Sequence, residues 1–129
     1  MRADLTKFGV EEARTPEDVD RIVASDGTVL MVVNSVCGCA AGRARPAVGM
    51  ALQHKSRPTK AATVFAGGDE EATAHLREIL AEYGHPPSSP SMALFKDGKP
   101  VYMLNRSDIE RRDPLQITAL LTEAFEKHC

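Results

Sequence analysis

Several features that would place this chain at a membrane or on nucleic acid are missing from its sequence. No apolar run approaches the ~18 residues that a membrane span needs. The segment 1–20 contains no apolar core of signal-peptide length. The formal net charge is −2, so there is no basic excess of the kind that binds nucleic acid. These absences predict a cytoplasmic protein that binds neither membrane nor nucleic acid.

Cysteine is also scarce. The chain of 129 residues has 3 cysteines, an odd number that is too small for a disulfide-stapled scaffold. A chain of this length buries enough surface to fold as one domain without staples, and we expect a single domain over residues 1–129. In a reducing compartment, closely spaced cysteines are more often catalytic or metal-binding than structural. Cys37 and Cys39, separated by one glycine, are therefore the first candidates for a functional site.

Local signals predict helices and strands in alternation, followed by a hairpin. Thr15 and Asp113 stand as N-caps before Pro16 and Pro114, the pattern of a helix start. The predicted order begins with a short strand near 8–11, a helix from Thr15, a buried strand over 28–33 and a helix over about 39–55 with a kink at Pro46. A strand over 61–68, a helix capped by Asp69 and an irregular loop over 84–91 follow. The chain then forms a hairpin over 92–106, which turns at Asp97-Gly98, and a last helix from Asp113 with Leu115 on its buried face. This order predicts an α/β fold with a mixed central β-sheet and helices on both faces.

The cysteine pair falls where the buried strand gives way to a predicted helix. Backbone N–H groups and the positive end of the helix dipole favour thiolate over thiol at such a position. Both effects lower the pKa of a cysteine and make its sulfur nucleophilic. We therefore predict that Cys37, the more exposed of the two, attacks, and that Cys39 is the resolving thiol.

Gly38 decides whether the two sulfurs can meet. A disulfide needs Cα atoms about 4.4–6.8 Å apart, and residues i and i+2 of an extended chain lie near or beyond the upper limit. Joining Cys37 to Cys39 requires a bend at Gly38, and glycine bends most freely. The small ring that a Cys37–Cys39 disulfide would close is strained and easily reduced, which predicts transient disulfide exchange.

Two other interpretations of the cysteines stay open. They could be small core residues, since buried cysteine is common. Cys37, Cys39, Cys129 and His128 could also supply a Cys₃His zinc site, although C-x-C is tighter than the usual ligand spacing and no second close pair exists. We expect no metal at the active cysteines.

A second landmark is the stretch SSPSMALFKDG, in which Pro90 stands just before a predicted strand. This stretch is similar to the strand that follows the cis-proline in thioredoxin-like proteins. The resemblance implies that the Ser89–Pro90 bond is cis and packs against the cysteine turn. The chain differs from thioredoxin in having no tryptophan and a C-G-C motif in place of C-x-x-C.

The closer resemblance is to the bacilliredoxin family of bacteria that use the small thiol bacillithiol. The segments that carry it are VVNSVCGCAAGRARPA, TVFAGGDEEATA, PSSPSMALFKDG and AFEKHC. The resemblance implies a thioredoxin-like fold and removal of bacillithiol from S-bacillithiolated protein cysteines. It implies that Cys37 takes up the bacillithiol and that Cys39 or free bacillithiol then clears it. Bacillithiol would be a co-substrate, with no bound cofactor.

Residues around the cysteines are candidates for supporting roles. Asn34 and Ser35 can orient the turn through side-chain hydrogen bonds. Arg43 and Arg45 can hold the carboxylates of a bound thiol or favour the thiolate, or can simply form a solvated helix face.

Three alternative functions remain at this point. A disulfide isomerase or weak general reductase would use the same chemistry on other substrates. A metal or cluster carrier would bind through Cys37, Cys39 and Cys129. A non-enzymatic thioredoxin-like binding module would not need Cys37 at all.

Overall fold

The structure, a computed structural model, describes residues 8–35 and 40–129. None of the helices in these two ranges is long and apolar enough to cross a membrane. The elements along the chain are β1 (Glu11–Glu12), α1 (Pro16–Val23), β2 (Thr28–Asn34), a π-helical turn (Ala40–Ala44), α2 (Arg45–Ala51), β3 (Lys60–Phe65), α3 (Glu70–Glu82), β4 (Ser91–Lys96), β5 (Lys99–Leu104), α4 (Arg106–Glu110) and α5 (Pro114–His128).

The strands form one mixed sheet in the order β1-β3-β2-β4-β5. The first three strands in this order are parallel, and β4 and β5 run antiparallel to their neighbours. β2 lies at the centre and all seven of its residues are buried, as expected for a strand covered on both faces. The mixed sheet and the α/β class that the sequence predicts are confirmed.

Alternation along the central strands divides the core into two layers. Val29, Met31 and Val33 of β2 face a cluster with α1 and α3, whereas Leu30 and Val32 face a cluster with α2, α4 and α5. The prediction that helices cover both faces is therefore confirmed.

The two proline-containing helix starts form as their sequences predict. The Thr15 hydroxyl accepts a hydrogen bond from the Asp18 N–H at 3.1 Å. Asp113 accepts from the Gln116 N–H at 2.8 Å, and the Gln116 side chain accepts in return from the Asp113 N–H at 3.0 Å. These reciprocal bonds satisfy donors that the first helical turn leaves unpaired.

The helix after the cysteines differs from the prediction. The sequence predicted one helix over about 39–55 with a kink at Pro46, but a π-helical turn leads into the short helix α2, which ends at Ala51. Pro46 lies in the first turn of α2, where its missing N–H costs no hydrogen bond. At the other end, the N–H groups of Gln53 and His54 donate to carbonyls three residues back, which tightens the chain into turns.

Two further details correct the sequence interpretation. Helix α4 was not predicted. The Asn105 N–H donates to the Asp108 carboxylate at 3.0 Å, and this bond fixes the first turn of the helix. Asp69 does precede α3, but its side chain accepts from the Phe65 N–H at 3.1 Å and does not cap a helical N–H. It closes the turn between β3 and α3 instead.

Candidate active site

The candidate site lies at the end of β2 that leads into the cysteine segment. Asn34, the last residue of β2, is 1% exposed, and Ser35 is also buried. The Ser35 N–H donates to Asn34 Oδ1 at 2.9 Å. Asn34 Nδ2 is buried and has no hydrogen-bond partner among the residues that the structure describes. The predicted orienting role of Asn34 therefore has a geometric basis in the hydrogen bond that its Oδ1 accepts.

Cys37, Gly38 and Cys39 lie outside the described residues. In the sequence they connect Ser35 to the π-helical turn, which begins at Ala40. The roles of nucleophile, bend and resolving thiol that the sequence assigns to them stay predictions.

Pro90 lies beside this strand end. The Ser89–Pro90 peptide bond is cis, and Pro90 is buried immediately before β4. β4 pairs antiparallel with β2, and Ser91 lies opposite Val33. The cis bond is confirmed. The predicted packing of Pro90 against the cysteine turn involves residues outside the described ranges and stays a prediction. The part that Ser89 and Pro90 play in the reaction stays a prediction.

An open groove of about 590 Å³ adjoins the cis-proline loop. Arg106 forms one wall, with its N–H donating to the Ser88 hydroxyl at 2.6 Å and its Nη1 donating to the Ser89 carbonyl at 3.4 Å. Glu110 pairs with Arg106 Nε at 3.3 Å. The lining residues are Arg77, Pro86, Pro87, Ser88, Ser89, Asn105, Arg106, Ser107 and Glu110. We call this pocket the Arg77–Arg106 groove.

The two arginines that the sequence analysis singled out follow the cysteine segment in the sequence. Arg43 is half-buried in the π-helical turn. Arg45 is only 5% exposed, so its guanidinium is not available on a solvated helix face, which corrects the expectation for this residue. Its neighbours Ala44, Ala47 and Val48 are buried because this turn packs between the sheet and α5.

Cys129 is exposed after the end of α5. The Thr118 hydroxyl contacts the Ala47 carbonyl at 3.5 Å, and Glu126 contacts His54 at 2.9 Å, so α5 runs in the same direction as α2. Cys129 therefore lies roughly 16 Å along the axis from Thr118, away from the π-helical turn. Over residues 8–35 and 40–129, no three cysteine, histidine or carboxylate side chains are grouped as metal ligands. The carrier hypothesis, which needs Cys37 and Cys39, stays an untested alternative.

Several solved structures that are similar to this chain are thioredoxins. The thioredoxin of Fasciola hepatica matches with a TM-score of 0.63 over 93% of this chain and 100% of that chain, at 18% identity. The oxidised thioredoxin of Plasmodium falciparum matches with a TM-score of 0.62 over 89% and 97%, also at 18% identity. The fold is a thioredoxin fold, as the resemblance implied.

Sequence comparison places the chain more narrowly. The model of the family described as disulphide isomerase matches residues 1–129. A bacilliredoxin of Koribacter versatilis is 50% identical over 100% of this chain and 88% of its own length. A bacilliredoxin of Salinibacter ruber is 54% identical over 100% and 76%, and one of Geobacillus kaustophilus is 50% identical over 99% and 87%. The chain belongs to the bacilliredoxin family and is a thiol–disulfide oxidoreductase.

Sequence reasoning missed the Arg77–Arg106 groove. Arg77 lies on the amphipathic helix α3 and Arg106 at the start of the unpredicted helix α4, 29 positions later in the sequence (106 − 77). Only the pairing of β2, β4 and β5 brings the cis-proline loop and α4 to one end of the sheet. A usable signal was that Pro90 and Asn105 flank two strands of one predicted hairpin, so their neighbourhoods must meet.

Proposed function

We propose that this protein removes bacillithiol from mixed disulfides with protein cysteines in the cytoplasm. Cys37 is the nucleophile and Cys39 the resolving thiol. Bacillithiol is a thiol co-substrate, and no cofactor is bound. The observation that carries the proposal is identity of about half the residues to several bacilliredoxins over the whole chain.

The proposed reaction has two exchange steps. The Cys37 thiolate attacks the bacillithiol sulfur of the mixed disulfide, and the target cysteine leaves as a thiolate that takes a proton. The Cys37–bacillithiol disulfide is then attacked by a second thiolate. If that thiolate is Cys39, bacillithiol leaves and a Cys37–Cys39 disulfide forms. If it is free bacillithiol, bacillithiol disulfide leaves and Cys37 is reduced.

The burial and hydrogen bonding at the end of β2 support the proposed nucleophile role of Cys37. The last described residues before the cysteine segment, Asn34 and Ser35, are buried and share a hydrogen bond. A helical turn follows from Ala40. At a helix start, unpaired backbone N–H groups favour the thiolate form of a nearby cysteine, which supports the choice of Cys37 as nucleophile.

Trapping tests the proposal directly. A Cys39→Ser variant is mixed with a peptide that carries bacillithiol on its single cysteine, and adducts are located by mass spectrometry. We expect bacillithiol on Cys37 with release of the reduced peptide, because the second thiol that would clear Cys37 is absent. The matched Cys37→Ser variant should release no peptide. An adduct on Cys129 alone would overturn the assignment of roles.

A disulfide isomerase is the second candidate, because the matching family model is described by that name. The same peptide prepared with an internal disulfide separates the two functions. De-bacillithiolation predicts faster turnover of the bacillithiol adduct than of the internal disulfide. Equal or reversed rates would favour isomerase or general reductase activity.

A further inference from the structure

The Arg77–Arg106 groove is positively charged and lies at the end of the sheet where β2 ends, one residue before Ser35. Two guanidinium groups and one carboxylate, that of Glu110, line it. Glu110 pairs with Arg106 at 3.3 Å, so the charge of Arg77 is left in excess. Arg77 Nε is buried and has no hydrogen-bond partner within the described parts of the chain. Arg77 lines the groove and forms no ion pair with a carboxylate of the described residues, so an anionic ligand there would supply the partner that its guanidinium lacks.

Strand register connects the groove to the end of β2. Ser91, opposite Val33, donates from its hydroxyl to the Ser88 carbonyl at 2.9 Å, and Ser88 lines the groove. On the far side, α4 contacts the π-helical turn that begins directly after Cys39. One side of the groove is therefore next to β4, which pairs with β2, and α4 on the other side contacts the turn that follows the cysteine segment in the sequence.

The lining of the groove suits a small polar anion. Three serines and Asn105 supply hydroxyl and amide groups beside the two guanidiniums. A guanidinium can bind a carboxylate through two parallel hydrogen bonds, which gives orientation as well as affinity. The volume of about 590 Å³ lies within the range of small-molecule sites.

We propose that the Arg77–Arg106 groove binds a carboxylate of the small thiol that is disulfide-linked to the target cysteine. The inference rests on the proposed function, in which that thiol is bacillithiol. The groove would distinguish carboxylate-bearing thiol adducts from those without a carboxylate and would hold the adduct while Cys37 attacks its sulfur. Arg77 contributes the free donor, and Arg106 shapes the wall through its bonds to Ser88 and Ser89.

The test compares two adducts on one peptide whose flanking residues are uncharged. One adduct is bacillithiol, and the other is cysteamine, which has no carboxylate. We expect the wild-type protein to have a lower KM for the bacillithiol adduct. The KM for the cysteamine adduct divided by the KM for the bacillithiol adduct is the KM ratio. In Arg77→Gln this ratio should fall by about tenfold, which corresponds to the loss of one charge-assisted hydrogen bond. Arg77→Lys should restore part of the ratio because it keeps the charge.

Arg111→Gln is the matched control. Arg111 lies just after α4 with its side chain 67% exposed, and it is not among the lining residues. This variant should keep the wild-type KM ratio, since it changes net charge without touching the groove. Circular dichroism melting curves of all the variants establish that each is folded.

Three outcomes separate the possibilities. If Arg77→Gln turns over both adducts with an unchanged KM ratio, the proposal that the groove binds a carboxylate is wrong, and the proposed function still stands. Failure of wild-type protein to release either thiol would overturn the proposed function itself. The cysteamine adduct is also prepared on a peptide with acidic flanks. If Arg77→Gln raises KM only for that peptide, the groove recognises the target protein and the proposal is wrong.

Discussion

Asn34 is a polar side chain in a strand whose other residues are almost all apolar, and it is as buried as they are. Its Oδ1 satisfies the Ser35 N–H, and without that acceptor the N–H would be buried next to the cysteine segment with one partner fewer. Buried polar groups of this kind are tolerated where they fix a backbone path. We therefore expect Asn34 to act as a positioning residue for the chain that leads to Cys37.

We expect Asn34→Ala to lower the free energy of unfolding by about 1–3 kcal/mol, because it removes the acceptor of a buried N–H. Urea denaturation followed by circular dichroism measures the change. Gln53→Ala removes an amide from an exposed position and should change the free energy by less than about 0.5 kcal/mol. Equal effects of the two substitutions would show that the Asn34 hydrogen bond contributes no stability.

At the scale of single elements, the best-predicted features are those that depend on near neighbours in the sequence. The caps at Thr15 and Asp113 are confirmed because their hydrogen bonds join residues three positions apart. Helix α2 ends earlier than predicted because tight turns replace its last predicted residues. Leu115 was expected on the buried face of α5 but is 70% exposed. That face is formed by Ile117, Leu121, Ala124 and Phe125, and Leu115 lies roughly 200° around the helix axis from Ile117.

The start of α1 carries a testable pH dependence. The N–H of Arg14 donates to the Asp18 carboxylate at 3.2 Å, and this bond, with further help from Thr15 and Arg21, holds the pKa of Asp18 below its ordinary value of 3.8. A carboxyl whose pKa is lowered by folding stabilises the protein above its unfolded pKa. That contribution is lost as pH falls through the folded pKa.

Asp18→Asn should therefore be less stable than wild type at pH 7, and the difference should shrink as pH falls below 3.8. Urea denaturation of both proteins between pH 7 and pH 2 measures it. Glu17→Gln is the control, because it removes the same charge from the same helical turn. Its effect measures the interaction of a charge with the helix dipole without the loss of the Asp18 hydrogen bond. A difference independent of pH would mean that ionised Asp18 does not stabilise the fold.

For the whole molecule, the mixed sheet was predictable but the site was only partly so. A continuous apolar run of strand length such as 28–33 favours a strand buried on both faces, and β2 confirms it. The Asp97-Gly98 turn likewise marks the hairpin of β4 and β5. The Arg77–Arg106 groove combines a helix, a loop and an unpredicted helix, and no local pattern states which of them meet.

The two core layers share the sheet, so we expect them to unfold together. Phe95 and Phe125 lie in different layers and are both 0% exposed. Phe95→Ala and Phe125→Ala should each lower the free energy of unfolding by about 3–5 kcal/mol in a single transition. Circular dichroism during urea titration measures this, with Leu115→Ala as the exposed control. A two-step curve for either variant would mean that one layer unfolds alone.

The outer strand β5 limits how this molecule can associate. Pro100, opposite Phe95, has no N–H to offer. Lys99 beside it is exposed and cationic, as is Lys96 at the end of β4 opposite Lys99. A strand so interrupted and charged is a poor template for another chain, and such borders keep proteins from polymerising edge to edge. A target chain that adds itself alongside β5 would forfeit a ladder bond and bury lysine charge, so recognition by strand addition is disfavoured along this border.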